Sequence, residues 1–177
     1  MKNFMISIKL TLITLIVFGV IYPLIITAIA WLTAPNHGRG DMELIGQSFT
    51  SDKYFNSRPS AVNYNSAATG GSNMAPGNAE YLALVEQRID DLLTHNPGIM
   101  TADIPVDLVT ASGSGIDPHI SPEAAYVQVP RVASTRNISS AAVRELVDKN
   151  IEHELFGLFG PMRVNVVKLN RALDQLR

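Results

Sequence analysis

Residues 112–121 read SGSGIDPHIS, with three serines, two glycines, an aspartate and a histidine in ten positions. Ser, Asp and His together are the parts of nucleophilic hydrolysis, and paired glycines are the material of a phosphate cradle. Neither reading survives the spacing. A triad is assembled from distant segments, each residue orienting the next, whereas Ser114, Asp117 and His119 are near neighbours and no G-x-S-x-G elbow is present. The G-S-G run is neither G-x-G-x-x-G nor a P-loop, and no lysine follows Gly70-Gly71-Ser72-Asn73. Metal chemistry needs clustered ligands, but His37, His95, His119 and His153 are scattered. His153-Glu154 begins an H-E-x-x-H pattern that Gly157 breaks. There is no cysteine, which excludes disulfides and thiolate sites. What remains is a rigid recognition surface. Gly113 and Gly115 permit a tight backbone path, and Ser112 and Asp117 can tie it to local N–H groups. Arg58-Pro59 and Pro130-Arg131 offer guanidinium forks suited to carboxylates or carbonyls.

The elements that position these residues follow from periodicity and capping. Residues 43–49 are expected as a short strand. Residues 54–77, rich in Asn, Ser, Gly and Pro, form an ordered irregular loop that Tyr54, Phe55, Val62 and Tyr64 can anchor. Asn78 caps a helix with an apolar face of Tyr81, Leu82, Val85, Ile89, Leu92 and Leu93, ended by Asn96-Pro97-Gly98. The run IPVDLVTA, 104–111, is expected as a strand, which makes 112–121 a strand-to-helix corner. Ser121-Pro122-Glu123 opens a helix that Pro130 bends or ends. Ser139 or Ser140 caps another, with Val143, Leu146, Val147, Ile151 and Leu155 on one face. Residues 157–161 form a turn, 164–169 a strand and 170–176 a terminal helix. The class is mixed, α/β or α+β.

A mean hydropathy of +0.13 is high for a soluble chain, and the excess lies at the front. Residues 10–34 carry no charge, and about 20 apolar residues cross a bilayer. The span from Leu10 contains Gly19 and Pro23, both tolerated in membrane helices, and Pro23 predicts a kink in the preceding turn. Trp31 suits the water–lipid interface. Ala28-Ile29-Ala30 resembles a signal-peptide cleavage site, which would release a secreted module. The apolar run before it is longer than such peptides use, so an uncleaved anchor is expected.

Lys2 and Lys9 precede the span without acidic neighbours, whereas Arg39 follows it beside Asp41 and Glu43. By the positive-inside rule, residues 1–9 are expected in the cytoplasm, 10–34 in the membrane and 35–177 outside it. Residues 36–40 read as a polar linker. The whole chain has a net charge of −2, and no clustered basic face suggests nucleic acid.

The motifs YFNSRPSA (54–61), GGSNMAPGN (70–78), IPVDLVTASGSGIDPHISPEAA (104–125), QVPRVA (128–133) and VNVVKLNRALD (164–174) together resemble the C subunit of the Kdp-type potassium-transporting P-type ATPase. The resemblance covers essentially the whole chain. Ala75 departs from it, where the family usually has glycine. It implies an accessory subunit, itself not an enzyme, of a high-affinity potassium-uptake complex in the bacterial inner membrane, with the main domain periplasmic. The implied partners are a potassium-selective channel-like subunit and a P-type ATP-hydrolysing subunit, and the family admits a very small single-span subunit beside them. The complex uses ATP, Mg and potassium, while no cofactor is expected on this chain alone. The family is described as a catalytic chaperone that raises the ATP affinity of the hydrolytic subunit, and Gln128 matches the glutamine to which its nucleotide contact is attributed. A domain outside the membrane cannot touch cytoplasmic ATP, so the expected effect is indirect, through the potassium-selective subunit. Arg58, Pro59, Gly71, Asn73, Ser112, Gly113, Gly115, Asp117, His119 and Arg131 are the expected interface or structural residues. The competing class is a membrane-anchored extracytoplasmic hydrolase.

Overall fold

A computed structural model describes residues 2–33 and 42–176. The expected linker at 36–40, with His37 and Arg39, lies outside the described residues, as does Asp41. The chain divides into two units, Met1–Gly40 and Asp41–Arg177.

The first unit is helical from Lys2 to Thr33, long and apolar enough by length and composition to cross a membrane. It comprises α1 (Lys2–Ile16), a π-helical turn (Val17–Ile21) and α2 (Tyr22–Thr33). Proline has no N–H and its ring crowds the carbonyl four residues back, which here is that of Gly19. The disturbance expected of Pro23 is thus a widened turn that contains Gly19, closed by the Tyr22 N–H donating to the Val17 carbonyl. Thr14 and Thr27 donate back to the carbonyls of Leu10 and Pro23, so neither hydroxyl is left unpaired on this apolar helix.

The second unit packs four helices and a three-stranded sheet. These are α3 (Ala79–His95), α4 (Pro122–Arg136), α5 (Ser140–Lys149) and α6 (Val166–Gln175), with β1 (His119–Ile120), β2 (Ile151–Glu152) and β3 (Arg163–Asn165). The sheet order is β1-β3-β2, antiparallel throughout, with Ile120 and Ile151 both opposite Val164. Phe55, Val132, Val143, Val147, Val164, Val166, Leu169 and Leu173 are wholly buried and form the centre of the core.

The helix starts follow the capping residues. Asn78 accepts from the Glu80 and Tyr81 N–H groups, Ser121 from Ala124, and Ser139 from Ala142. Residues 54–77 are ordered turns without helix or strand. On α3, Leu82 is exposed and Leu84 takes the inward position.

Five expectations are corrected. Residues 43–49 form no strand. A 3₁₀ turn (Met42–Leu44) leads into extended chain, and the Gly46 N–H donates to the Ile116 carbonyl at 2.7 Å. Residues 104–111 contain a 3₁₀ turn (Val106–Leu108) instead of a strand, since Pro105 has no ladder donor. Residues 112–121 therefore join that turn to β1 and α4. Pro130, expected to bend or end α4, does not end it. It lies on the exposed face, while Val129, Arg131 and Val132 beside it are buried and hold the helix through to Arg136. α5 stops at Lys149, so Ile151 belongs to β2 and Leu155 to a turn. Finally, the strand expected at 164–169 ends at Asn165, whose side chain accepts from the N–H groups of Val167 and Lys168 and starts α6. Val166, Leu169, Asn170 and Leu173 then share a buried helical stripe.

Candidate functional site

Two irregular segments are zipped together on one side of the second unit. The Ser112 N–H donates to the Pro59 carbonyl at 3.2 Å and the Gly70 N–H to the Ser114 carbonyl at 2.9 Å. Ser60 Oγ donates to the Gly115 carbonyl at 2.5 Å. Within 112–121, the Gly115 N–H donates to Ser112 Oγ at 2.9 Å and the His119 N–H to Asp117 Oδ1 at 3.0 Å. Gly115 has φ of +71°, and a Cβ there would stand 2.5 Å from Val62 Cγ2. A Cβ on Gly71 would stand 3.3 Å from the Gly113 carbonyl oxygen, whereas one on Gly113 would meet nothing within 4 Å. Of the residues singled out from sequence, Arg58, Pro59, Gly71, Ser112, Gly113, Gly115, Asp117 and His119 are thus brought together. Asn73 lies on the exposed part of the same loop with φ of +52°.

Arg58, Asp117 and His119, which flank the zipper in sequence, line an open cleft of about 640 Å³ together with Val106, Met162 and Arg163, among others. Asp117 Oδ1 lies 2.9 Å from His119 Nδ1, and Glu152 Oε2 lies 3.7 Å from His119 Nε2. His119 stands between two carboxylates and, among the described residues, its ring is paired with no hydroxyl. Ser114 Oγ instead receives the Ile116 N–H, and Ser121 Oγ donates to Asp107. A hydrolytic triad is not assembled here.

The hydrogen bond from His119 holds the Asp117 carboxyl below its ordinary value, against a smaller opposing effect of burial. Burial works to raise the Glu152 carboxyl, but hydrogen bonds from Lys168 and Arg163 prevail and hold it low. Arg58 is the loose member. Its Nη1 is 3.9 Å from Asp117, its Nη2 reaches the Ala111 carbonyl only at 3.5 Å, and its buried Nε has no partner. Among the described residues no group of three or more His, Cys, Asp or Glu is placed to hold a metal.

Gln128 and Arg131 lie elsewhere, inside the domain. Arg131, expected from sequence as an interface or structural residue, is 5% exposed, and all five of its N–H groups are engaged internally. Nε donates to Asn96 at 2.9 Å, Nη1 to the Asp52 and Tyr54 carbonyls at 2.6 and 2.9 Å, and Nη2 to Asn56 and Gln128 at 2.5 and 2.7 Å. A fork buried among fixed acceptors is a structural hub. Gln128 is fully buried. Its Oε1 also accepts the Asn56 N–H at 2.7 Å, and its Nε2 donates to the Ala124 carbonyl at 3.0 Å. Leu10, Gly19, Pro23 and Trp31 lie in the apolar first unit.

Sequence reasoning passed over Asp107, which fixes the start of α4 by accepting the Ser121 N–H at 2.6 Å. It also passed over Glu152, which gathers His119, Arg163 and Lys168. Asn165 and Asn170 were missed as well. Asn170 grips both the N–H and the carbonyl of Phe55. Their signal was present, because an asparagine inside an apolar run is either a cap or a buried clasp.

The family profile described as "K+-transporting ATPase, c chain" matches residues 4–175. The potassium-transporting ATPase KdpC subunit of Flavobacterium johnsoniae is 51% identical over the full length of both chains. That of Caldanaerobacter subterraneus is 46% identical over 94% of this chain and 92% of its own, and that of Phocaeicola vulgatus is 46% identical over all of both. With a profile match from end to end and relatives this similar over their whole length, the chain belongs to the KdpC family, the C chains of K+-transporting ATPases.

Proposed function

We propose that this chain is a non-catalytic accessory subunit of an ATP-driven potassium-uptake complex. In this reading its single span lies in the bacterial inner membrane, the N-terminus is cytoplasmic and the folded domain is periplasmic. The partners are the potassium-selective channel-like subunit and the P-type ATP-hydrolysing subunit, with a small single-span subunit as a further candidate. ATP, Mg and potassium act on the complex, and none needs a site on this chain. The cleft around Arg58, Asp117 and His119 then serves as a docking wall against the potassium-selective subunit. Any influence on ATP affinity is indirect, a coupling between distant sites.

One observation supports the indirect reading above others. Gln128, the residue to which the family's nucleotide contact is attributed, is wholly buried and its amide is committed to Asn56, Ala124 and Arg131. A nucleotide could reach it only by opening the core.

The test is made on the assembled complex carrying Asp117→Ala with His119→Ala. Potassium-stimulated ATPase activity is titrated separately with potassium and with MgATP. The expected result is a roughly tenfold rise in the KM for potassium, typical of a lost coupling, with the KM for MgATP nearly unchanged. A changed KM for MgATP at unchanged potassium dependence would overturn the proposal. So would a reporter fused after Arg177 that is active only in the cytoplasm.

A further inference from the structure

The ten residues between β2 and β3 turn back through a hairpin whose tip is LFGLF, residues 155–159. It is a built turn. The Leu155 N–H donates to the Phe159 carbonyl at 2.9 Å, Phe159 returns the bond at 3.1 Å, and the Leu158 N–H closes on the Leu155 carbonyl at 3.2 Å. Phe156 and Gly157 both have positive φ, +57° and +68°, the signature of a type I′ turn. Glycine suits that position, whereas a phenylalanine in the left-handed region is strained. Phe156 is 84% exposed and Leu158 80%, more than any other large apolar side chain outside the span among the described residues. Leu155 and Phe159 are exposed beside them, and none of the four belongs to the core. Four large apolar groups on one rigid turn mark an interaction site.

The surroundings select the kind of partner. Elements that bind a lipid surface carry Lys or Arg beside their apolar face. Glu152, His153 and Glu154 precede this tip instead. Residues 42–176 hold fifteen acidic and ten basic residues, a balance that anionic headgroups repel. Arg163, four residues past the tip, is paired with Glu152 at 3.0 Å. Three residues past the tip, Met162 and Arg163 line the cleft that holds His119 and the loosely held Arg58. An apolar anchor next to a polar, partly desolvated wall is the anatomy of a protein–protein contact. A turn already fixed in shape loses little freedom on docking.

We propose that residues 155–159 form a docking finger that seats in an apolar groove on another subunit of the same potassium-transporting complex. This deepens the accessory-subunit reading and rests on it.

The test is to place a photoreactive phenylalanine, p-benzoylphenylalanine, at position 156 of the full chain. The chain is co-expressed with its complex, the membranes are irradiated, and the adduct is identified by mass. A control probe at Leu10 in the span reports assembly. The expected result is an adduct to another subunit of the complex. In parallel, Phe156→Asp with Leu158→Asp should speed dissociation of the chain from the detergent-solubilised complex roughly 30-fold or more, as loss of a central anchor does. Phe156→Leu should stay close to the unaltered chain. An adduct to lipid alone, or to a second copy of this chain, overturns the proposal. No adduct at 156 while the probe at Leu10 cross-links to the complex refutes the finger and leaves the accessory reading standing. Failure of the unaltered chain to co-purify with any transport subunit sinks that reading and the finger with it.

Discussion

Replacing Arg131 by methionine removes five hydrogen bonds from the middle of the domain and keeps much of the buried volume. The guanidinium joins the loop at Asp52, Tyr54 and Asn56 to the end of α3 at Asn96 and to Gln128 one turn back on α4. Each hydrogen bond to a charged group contributes about 1.5–3 kcal/mol. Five taken at face value would rival the whole stability of a domain, about 5–15 kcal/mol, so the bonds cannot simply add. Burying the charge costs something in return. Its burial is great enough to pull the Arg131 pKa down, with Asp52 opposing. Breaking a buried charged network by removing one partner costs about 3–5 kcal/mol. At about 3–5 °C per kcal/mol for a domain of this size, the melting temperature should fall by about 10–20 °C. Lysine keeps the charge but not the fork, so Arg131→Lys should recover less than half of the loss. The assay is thermal unfolding of the full chain in mild detergent, followed by tyrosine near-ultraviolet circular dichroism. Tryptophan fluorescence is unsuitable because the single tryptophan is Trp31, in the span. A methionine variant that melts within about 4 °C of the parent, which corresponds to roughly 1 kcal/mol, would refute the hub.

Two other outcomes follow from the zipper. Gly115→Ala should destabilise by at least about 2 kcal/mol, because its Cβ meets Val62 Cγ2 at 2.5 Å and the Gly70 carbonyl at 2.7 Å with φ at +71°. Gly113→Ala, which meets nothing within 4 Å, should cost less than about 1 kcal/mol, so equal effects in a urea titration would refute the packing argument. Asp117 sits below its ordinary value of 3.8 when folded, so the stability it contributes is present above that value and is lost as the pH falls through the lower folded one. The stability gap between the parent and Asp117→Asn should therefore narrow in acid, below about pH 4. A gap that stays constant from neutral pH down to pH 2 would show that His119 does not hold the carboxylate.

The helix starts were legible because a cap is a local event. Asn78, Ser121 and Ser139 each satisfy N–H groups two or three residues away. Strands were not legible, because β1 and β2 are two residues long and β3 three, too short for an alternating pattern. The β-branched run at 164–169 looked like a strand because its burial is helical only after Asn165 turns the chain. The motif at 112–121 was recognisable as a structural corner, but not which elements it joins. That depends on Pro59, Gly70 and Ile116 meeting partners far away in sequence. Arg131 was noticed for its fork, but the sequence left open whether it is an interface or a structural residue. No local pattern announces that five acceptors from three segments converge on one guanidinium.

The clasps also set when the domain can form. Phe55 is held by Asn170, 115 positions later, and Glu43 is paired with Arg171, 128 positions later. β3, the middle strand, is made after both of its neighbours. The segment 42–77 therefore has no finished seat until the last helix exists, and a ribosome must release nearly the whole chain before the core can close. Contacts this distant make folding slow to begin. They also keep the nascent domain open through synthesis, so its apolar segments must stay unpaired until α6 has emerged.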